Sequence, residues 1–118
     1  FRNKAYEFVR SMFPPEADSA LVERVATDMS SAPKTIALGC MKSAITFEPK
    51  ATAALDELRL PGVAINPSLP PADTLSMSRY GFTVFPMPGV KHFPMMEKPE
   101  AFNELLLQAI HKLIGKPS

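Results

Sequence analysis

The fold is constrained most by two short apolar runs in the second half of the chain. One covers residues 60–66 and the other residues 82–85, and both lie next to glycine and proline. Short runs between chain-breaking residues are typical of buried strands. The 15 residues between them include a predicted helix from Asp73 to Tyr80, with Gly81 at its end. Such a connection fits a crossover between parallel strands, so the sequence predicts a β-α-β unit.

The first half of the chain predicts helices. Apolar residues recur at helical spacing over residues 1–13, 15–30 and 33–45, and a short alanine-rich helix follows from about Lys50 to Leu58. No charged residue occurs from Thr35 to Met41, which predicts that the third helix is well covered. The predicted order is therefore four helices, then strand, helix, strand and helix, which is an α/β fold class.

The final predicted helix begins at Pro99. It carries a wide apolar stripe: Phe102, Leu105, Leu106, Ala109, Ile110, Leu113 and Ile114. Two strands do not make a stable parallel sheet alone, because such sheets are covered on both faces. We therefore expect further strands, from the same polypeptide or from a second copy of the chain. The chain begins with Phe1, so we also expect it to continue a longer polypeptide.

Composition excludes several classes of function. The 118 residues have a net charge of +1 and form no basic stripe, which argues against a nucleic-acid partner. No apolar run reaches the ~18 residues of a membrane span, and we expect a cytoplasmic protein without membrane contact. The single cysteine, Cys40, excludes an internal disulfide. With only two histidines besides, the sequence predicts neither a metal nor an organic cofactor.

The most specific stretch is PGVKHFPMMEKPEAFN, residues 88–103. It resembles the C-terminal signature of the α/β-hydrolase superfamily, where a glycine–x–x–histidine loop precedes an apolar pair, an acidic residue, a proline and the final helix. The resemblance implies that residues 1–57 are a helical cap segment. It also implies that residues 58–118 are the last β-α-β-α unit of the core, carrying the histidine loop.

The histidine of this stretch, His92, is the main candidate for a catalytic residue. An imidazole with a pKa of about 6.5 accepts and returns protons near neutrality. The end of a parallel strand is also where α/β sheets place their sites. The resemblance implies that His92 is the general base of an enzyme that hydrolyses a small apolar ester or related acyl compound. The alternative is a loop histidine with ordinary packing duties.

Further candidates are substrate contacts. Phe93 is expected to hold the imidazole of His92 in place, and Met29 and Met41 are candidate linings of an apolar pocket in the cap-like helices. His111, near the end of the last helix, is interpreted as a solvated histidine favoured by the helix dipole.

Two parts of a hydrolase site are missing from the sequence. None of the five glycines frames the G-x-S-x-G nucleophile motif, and the family's nucleophile and oxyanion hole precede the cap. They would therefore lie before Phe1. Cys40 lies in an apolar helical stripe, where a buried, inert thiol is expected.

The acid of a triad is also in question. The family usually has an aspartate after the penultimate strand, where this chain has Asn66-Pro67-Ser68. Asp73 is the nearest carboxylate, and its alternative role is to cap a helix. Otherwise the acid comes from an earlier strand, or the triad is degraded. Two hypotheses follow: part of a hydrolase that supplies the catalytic histidine, or a hydrolase-derived ligand-binding or interaction protein without catalysis.

Overall fold

The computed structural model describes residues 1–68 and 70–115, and it is a mixture of helix and strand. The elements in order are α1 (Arg2–Ser11), α2 (Ser19–Ser30), α3 (Lys34–Leu58), β1 (Gly62–Pro67), α4 (Thr74–Arg79), β2 (Phe82–Met87), α5 (Pro94–Glu97) and α6 (Pro99–Leu113). The chain divides into two compact units. The first contains Phe1–Ser11 and Asp18–Arg59, and the second contains Met12–Ala17 and Leu60–Ser118.

The core of the first unit lies between α1 and α2. Val9 of α1 is buried, as are Val25 and Ala26 of α2. Asp18 is the N-cap of helix α2, and its carboxylate accepts a hydrogen bond from the backbone N–H of Leu21 at 2.7 Å. This cap satisfies a donor that the first turn of a helix would otherwise leave unpaired.

Two predictions about α3 are wrong. The predicted third and fourth helices form one helix of 25 residues, with Pro49 inside it. Proline removes one backbone donor, and the good helix-forming residues on both sides favour continuation of the helix. The predicted cover is also absent, since no residue of α3 is buried and Cys40 is exposed. A stretch without charges becomes buried only when another element packs against it. The sequence of α3 does not show whether such an element exists.

The second unit is built on a parallel pair of strands, which confirms the predicted pairing. The register runs from Gly62 opposite Phe82 to Pro67 opposite Met87. Helix α4 connects the strands and packs against β2, while α6 packs against β1. Gly81 has a φ of +78°, in the left-handed region expected of a residue that ends a helix. Because the two strands are parallel, their carboxyl ends lie at the same edge of the sheet.

Apolar surface remains exposed in this unit. Ala109 of α6 is buried, but four other residues of the predicted stripe are exposed: Leu106, Ile110, Leu113 and Ile114. Across the described residues, eighteen large hydrophobic side chains are exposed and seven hydrophobic residues are buried. A free-standing domain normally covers most of such side chains. The described residues therefore do not form a complete core around α6.

Gly62 of β1 lies against the ring of Phe82 in β2. A Cβ atom there would lie 2.5–2.9 Å from three ring atoms of Phe82, so the ring would have to move. We expect Gly62→Ala to lower the free energy of unfolding by about 1–3 kcal/mol, as overpacking does. Urea denaturation followed by circular dichroism measures the change.

The matched control for this variant is Gly39→Ala in the interior of α3. Apart from its chain neighbours and the backbone of its own helix, no heavy atom lies within 4 Å of a Cβ at that position, so alanine is expected to raise helix stability by up to about 1 kcal/mol. Equal unfolding midpoints for the two variants would contradict the close approach of Gly62 and Phe82.

Candidate functional site

His92 lies on the loop between β2 and α5, five residues after the end of the strand. Gly89 turns the chain into this loop with a φ of +70°, which side chains other than glycine rarely adopt. The ammonium group of Lys98 donates to the carbonyl of Pro88 at 3.4 Å and lies over the same turn. The loop therefore leaves the sheet at its carboxyl edge with a defined conformation.

The backbone around His92 is held at three consecutive amides. The N–H groups of Lys91 and Phe93 donate to the carboxylate of Glu97, at 3.2 Å and 3.1 Å. The N–H of His92 donates to the carbonyl of Met12 at 3.1 Å. Because every amide of this segment has an acceptor, the loop is anchored on both sides of the histidine.

The imidazole of His92 packs against an aromatic pair. Its ring lies edge-on to Phe93, with centroids 4.9 Å apart and planes at 84°. Phe93 in turn stacks on Phe13 at 4.8 Å, and Phe13 is buried. These contacts restrict the rotation of the His92 ring, which is itself exposed at the surface.

A cavity of about 300 Å³ lies beside the imidazole. Its walls are Met12, Asn66, Pro67, Pro70, Lys91 and His92. Methionine and the two prolines supply apolar surface, and the other three residues supply polar groups. This volume is at the lower end of the range found for small-molecule sites, and the cavity lies at the strand edge where α/β folds bind ligands.

Asp73 occupies the N-cap of α4. Its carboxylate accepts from the hydroxyl of Ser76 at 2.6 Å and from the backbone N–H of Ser76 at 3.0 Å. The Ser76 hydroxyl first, and then its backbone N–H, hold the pKa of Asp73 below the ordinary value. The helix-capping alternative for Asp73 is confirmed, and its carboxylate is engaged within its own helix.

Asn66 is the strand-end residue that shares the cavity with His92. It lies in β1, opposite Pro86, and its amide makes a long contact of 3.8 Å to the sulfur of Met77. Within residues 1–68 and 70–115, the imidazole of His92 makes no hydrogen bond to a carboxylate. At the place where the resemblance implies an acid, the structure has the amide of Asn66, which lines the same cavity as His92.

The remaining predicted site residues are spread over the chain. Met29 and Met41 belong to the first unit and are 46% and 52% exposed, and their role as substrate contacts stays a prediction. His111 is half-buried in the last turn of α6. Sequence reasoning did not include Met12, Pro70 or Lys91 in the site. For Met12 no sequence signal exists, because 80 positions separate it from His92.

The cap at Asp73 has a pH dependence that can be measured. Because the pKa of Asp73 is lowered in the folded chain, its carboxylate stabilises the fold above the ordinary carboxyl pKa of about 4. That contribution is lost as the pH falls through the folded pKa. We expect Asp73→Ala to lower the urea midpoint at pH 7 and to lower it less at about pH 3. Asp56→Ala, which removes an exposed aspartate with no capping role, is expected to cause no such loss. A difference in urea midpoint between the wild type and Asp73→Ala that is the same at both pH values would contradict a cap by the charged carboxylate.

Comparison of the chain with models of protein families, with curated proteins and with solved structures finds no significant match. In the part of the chain that the structure describes, no helix is both long and apolar enough to cross a lipid bilayer. The same residues bring together no group of three His, Cys, Asp or Glu side chains that could hold a metal ion.

Proposed function

We propose that this chain is the C-terminal part of an α/β-hydrolase-like protein and that His92 acts in it as the general base. The observation that carries the proposal is the placement of His92 on a constrained loop, after a parallel strand and beside a cavity. The loop also has the order that residues 88–103 share with the family's signature. A loop histidine with packing duties alone needs neither the cavity nor three anchored amides.

The proposed reaction is acyl transfer to water. The imidazole of His92 removes a proton from a nucleophile that another part of the protein supplies, and the nucleophile attacks the ester carbonyl. Collapse of the adduct expels the alcohol, which takes its proton from His92, and leaves an acyl-enzyme. Water, deprotonated by the same imidazole, then attacks the acyl-enzyme, and the bond from the acyl carbon to the nucleophile breaks as His92 returns the proton to the nucleophile, which releases the acid. The apolar walls at Met12, Pro67 and Pro70 favour a small apolar acyl group.

The proposed partner of this chain is the rest of the hydrolase core. Two strands leave both outer edges of the sheet unpaired within the described residues. The exposed apolar side of α6, with Leu106, Ile110 and Leu113, faces no described element that buries it. Further strands of the same core would pair with an edge and cover this side. A dimer of the chain, detected by light scattering, is the competing outcome.

A second candidate function is ligand binding without catalysis. Asn66 favours it, because an amide at the end of β1 does not stabilise an imidazolium as a carboxylate does. A hydrolase-derived binding protein would keep the cavity and the histidine loop and lose turnover.

Labelling with a fluorophosphonate, which reacts with activated serines, separates the two functions. The product of the complete reading frame is treated with the probe and assayed with p-nitrophenyl butyrate. We expect one labelled serine and ester turnover that the probe abolishes. The 118-residue chain alone is expected to show neither, since it has no G-x-S-x-G motif.

Two results would overturn this assignment. Turnover by the 118-residue chain that disappears in His92→Ala would show a nucleophile within these residues. A complete protein that is neither labelled nor active would leave ligand binding as the function.

A further inference from the structure

We propose that Glu97 is the positioning residue of the site: its carboxylate fixes the backbone on both sides of His92 and thereby sets the direction of the imidazole. The inference rests on the proposed role of His92. Glu97 is the last residue of α5, and its side chain reaches back to the loop that precedes the helix.

The geometry is that of a clamp. One carboxylate oxygen of Glu97 accepts from the N–H of Phe93, and both oxygens lie 3.2 Å from the N–H of Lys91. The residue between these two donors is His92. Hydrogen bonds to an ionised acceptor are stronger than those between neutral groups, and Glu97 is half-buried, which reduces solvent screening.

Glu97 also binds the residue whose side chain packs against the imidazole of His92. Phe93, whose amide the carboxylate binds, presents its own ring to the edge of the His92 ring and stacks on Phe13. A shift of the Phe93 backbone would therefore move the surface on which the imidazole packs. Displacement of a catalytic group by about 1 Å costs roughly 10²-fold in rate, so a clamp of this kind has a kinetic consequence.

A purely structural role for Glu97 is the competing explanation. In that case the carboxylate would stabilise α5 and the fold as a whole, and the direction of the imidazole would not depend on it. The two roles predict different results for a Glu97 variant that still folds: only the positioning role predicts a change in the direction of the imidazole. Glu97→Gln keeps the shape of the side chain and one acceptor oxygen, so this variant is the informative one if Glu97→Ala does not fold.

The first measurement uses NMR on the product of the complete reading frame. We expect Glu97→Ala to speed amide hydrogen exchange at Lys91 and Phe93 by about 10- to 100-fold, with a smaller effect in Glu97→Gln. The nuclear Overhauser contacts between the rings of His92 and Phe93 should weaken in parallel. Glu100→Ala, in the first turn of α6, is the matched control and should leave both unchanged.

The second measurement uses ester hydrolysis by the product of the complete reading frame. We expect Glu97→Ala to lower kcat by about 10-fold, less than loss of the imidazole itself, with little change in KM, and Glu97→Gln to recover part of the loss. The control Glu100→Ala should keep wild-type kinetics. An equal loss in the control would overturn the inference.

The outcomes separate this inference from the proposed function. Unchanged exchange and ring contacts in both Glu97 variants would overturn the clamp, whatever the activity. Altered exchange and ring contacts in a protein whose wild type hydrolyses no ester would support the clamp and overturn the proposed function.

Discussion

If the proposed hydrolase function holds, replacing Asn66 with aspartate is expected to raise kcat for ester hydrolysis by up to about 10⁴-fold in the product of the complete reading frame. That factor is the rate lost when the acid of a serine-type triad is changed to an amide. Asn66 and His92 line one cavity. The carboxylate of Asp73, the other candidate acid, accepts a hydrogen bond from the hydroxyl of Ser76. We expect a carboxylate at position 66, on the wall of the same cavity, to fix the tautomer of His92 and to stabilise its charged form.

The measurement is kcat with p-nitrophenyl butyrate at neutral pH for the wild type and Asn66→Asp. Asp73→Asn is the control, since asparagine caps helices as well as aspartate does and we expect no change in rate. A wild type that is already fast, with no gain in Asn66→Asp, would contradict this prediction. It would also place the orienting acid on another strand of the core.

Removing the imidazole is expected to have effects that depend on residue 66. Triad members act as a unit: losing the histidine alone costs about 2 × 10⁶-fold, and losing the acid alone costs about 3 × 10⁴-fold. In the wild type, with Asn66, His92→Ala should therefore lower kcat by only about 10²-fold. In the Asn66→Asp background the same substitution should lower it by about 10⁶-fold.

This double-mutant cycle tests the pairing of the two residues directly. His111→Ala, on α6, is the matched control and should leave kcat unchanged in both backgrounds. Equal losses from His92→Ala in the two backgrounds would show that position 66 does not act through the imidazole.

Local patterns predicted the second unit well. The breakers around residues 60–66 and 82–85, the helix between them and Gly81 specified a parallel strand pair, which the register confirms. The short helix α5 was missed, and residues 86–98 were expected to be a loop. Four residues after Phe93 make a single helical turn, too short for a periodic signal.

Burial was predicted less well, for a physical reason. An apolar stripe such as the one on α6 shows which face of a helix can be buried. Which of its residues are actually buried depends on the element that packs against that face. The same limit applies to α3, where the uncharged stretch led to a wrong expectation. For the site, the loop signature pointed to His92, while the walls at Met12 and Pro70 depend on how distant segments meet.

The carbonyl of Met12 and the ring of Phe13 anchor a loop that is about 80 residues further along the chain. Contacts of such sequence separation form late, because a long loop must close before they contribute. During synthesis the ribosome would release Met12 and Phe13 well before their partners exist. The histidine loop would then reach its final conformation only after Glu97, which binds its backbone, has been translated.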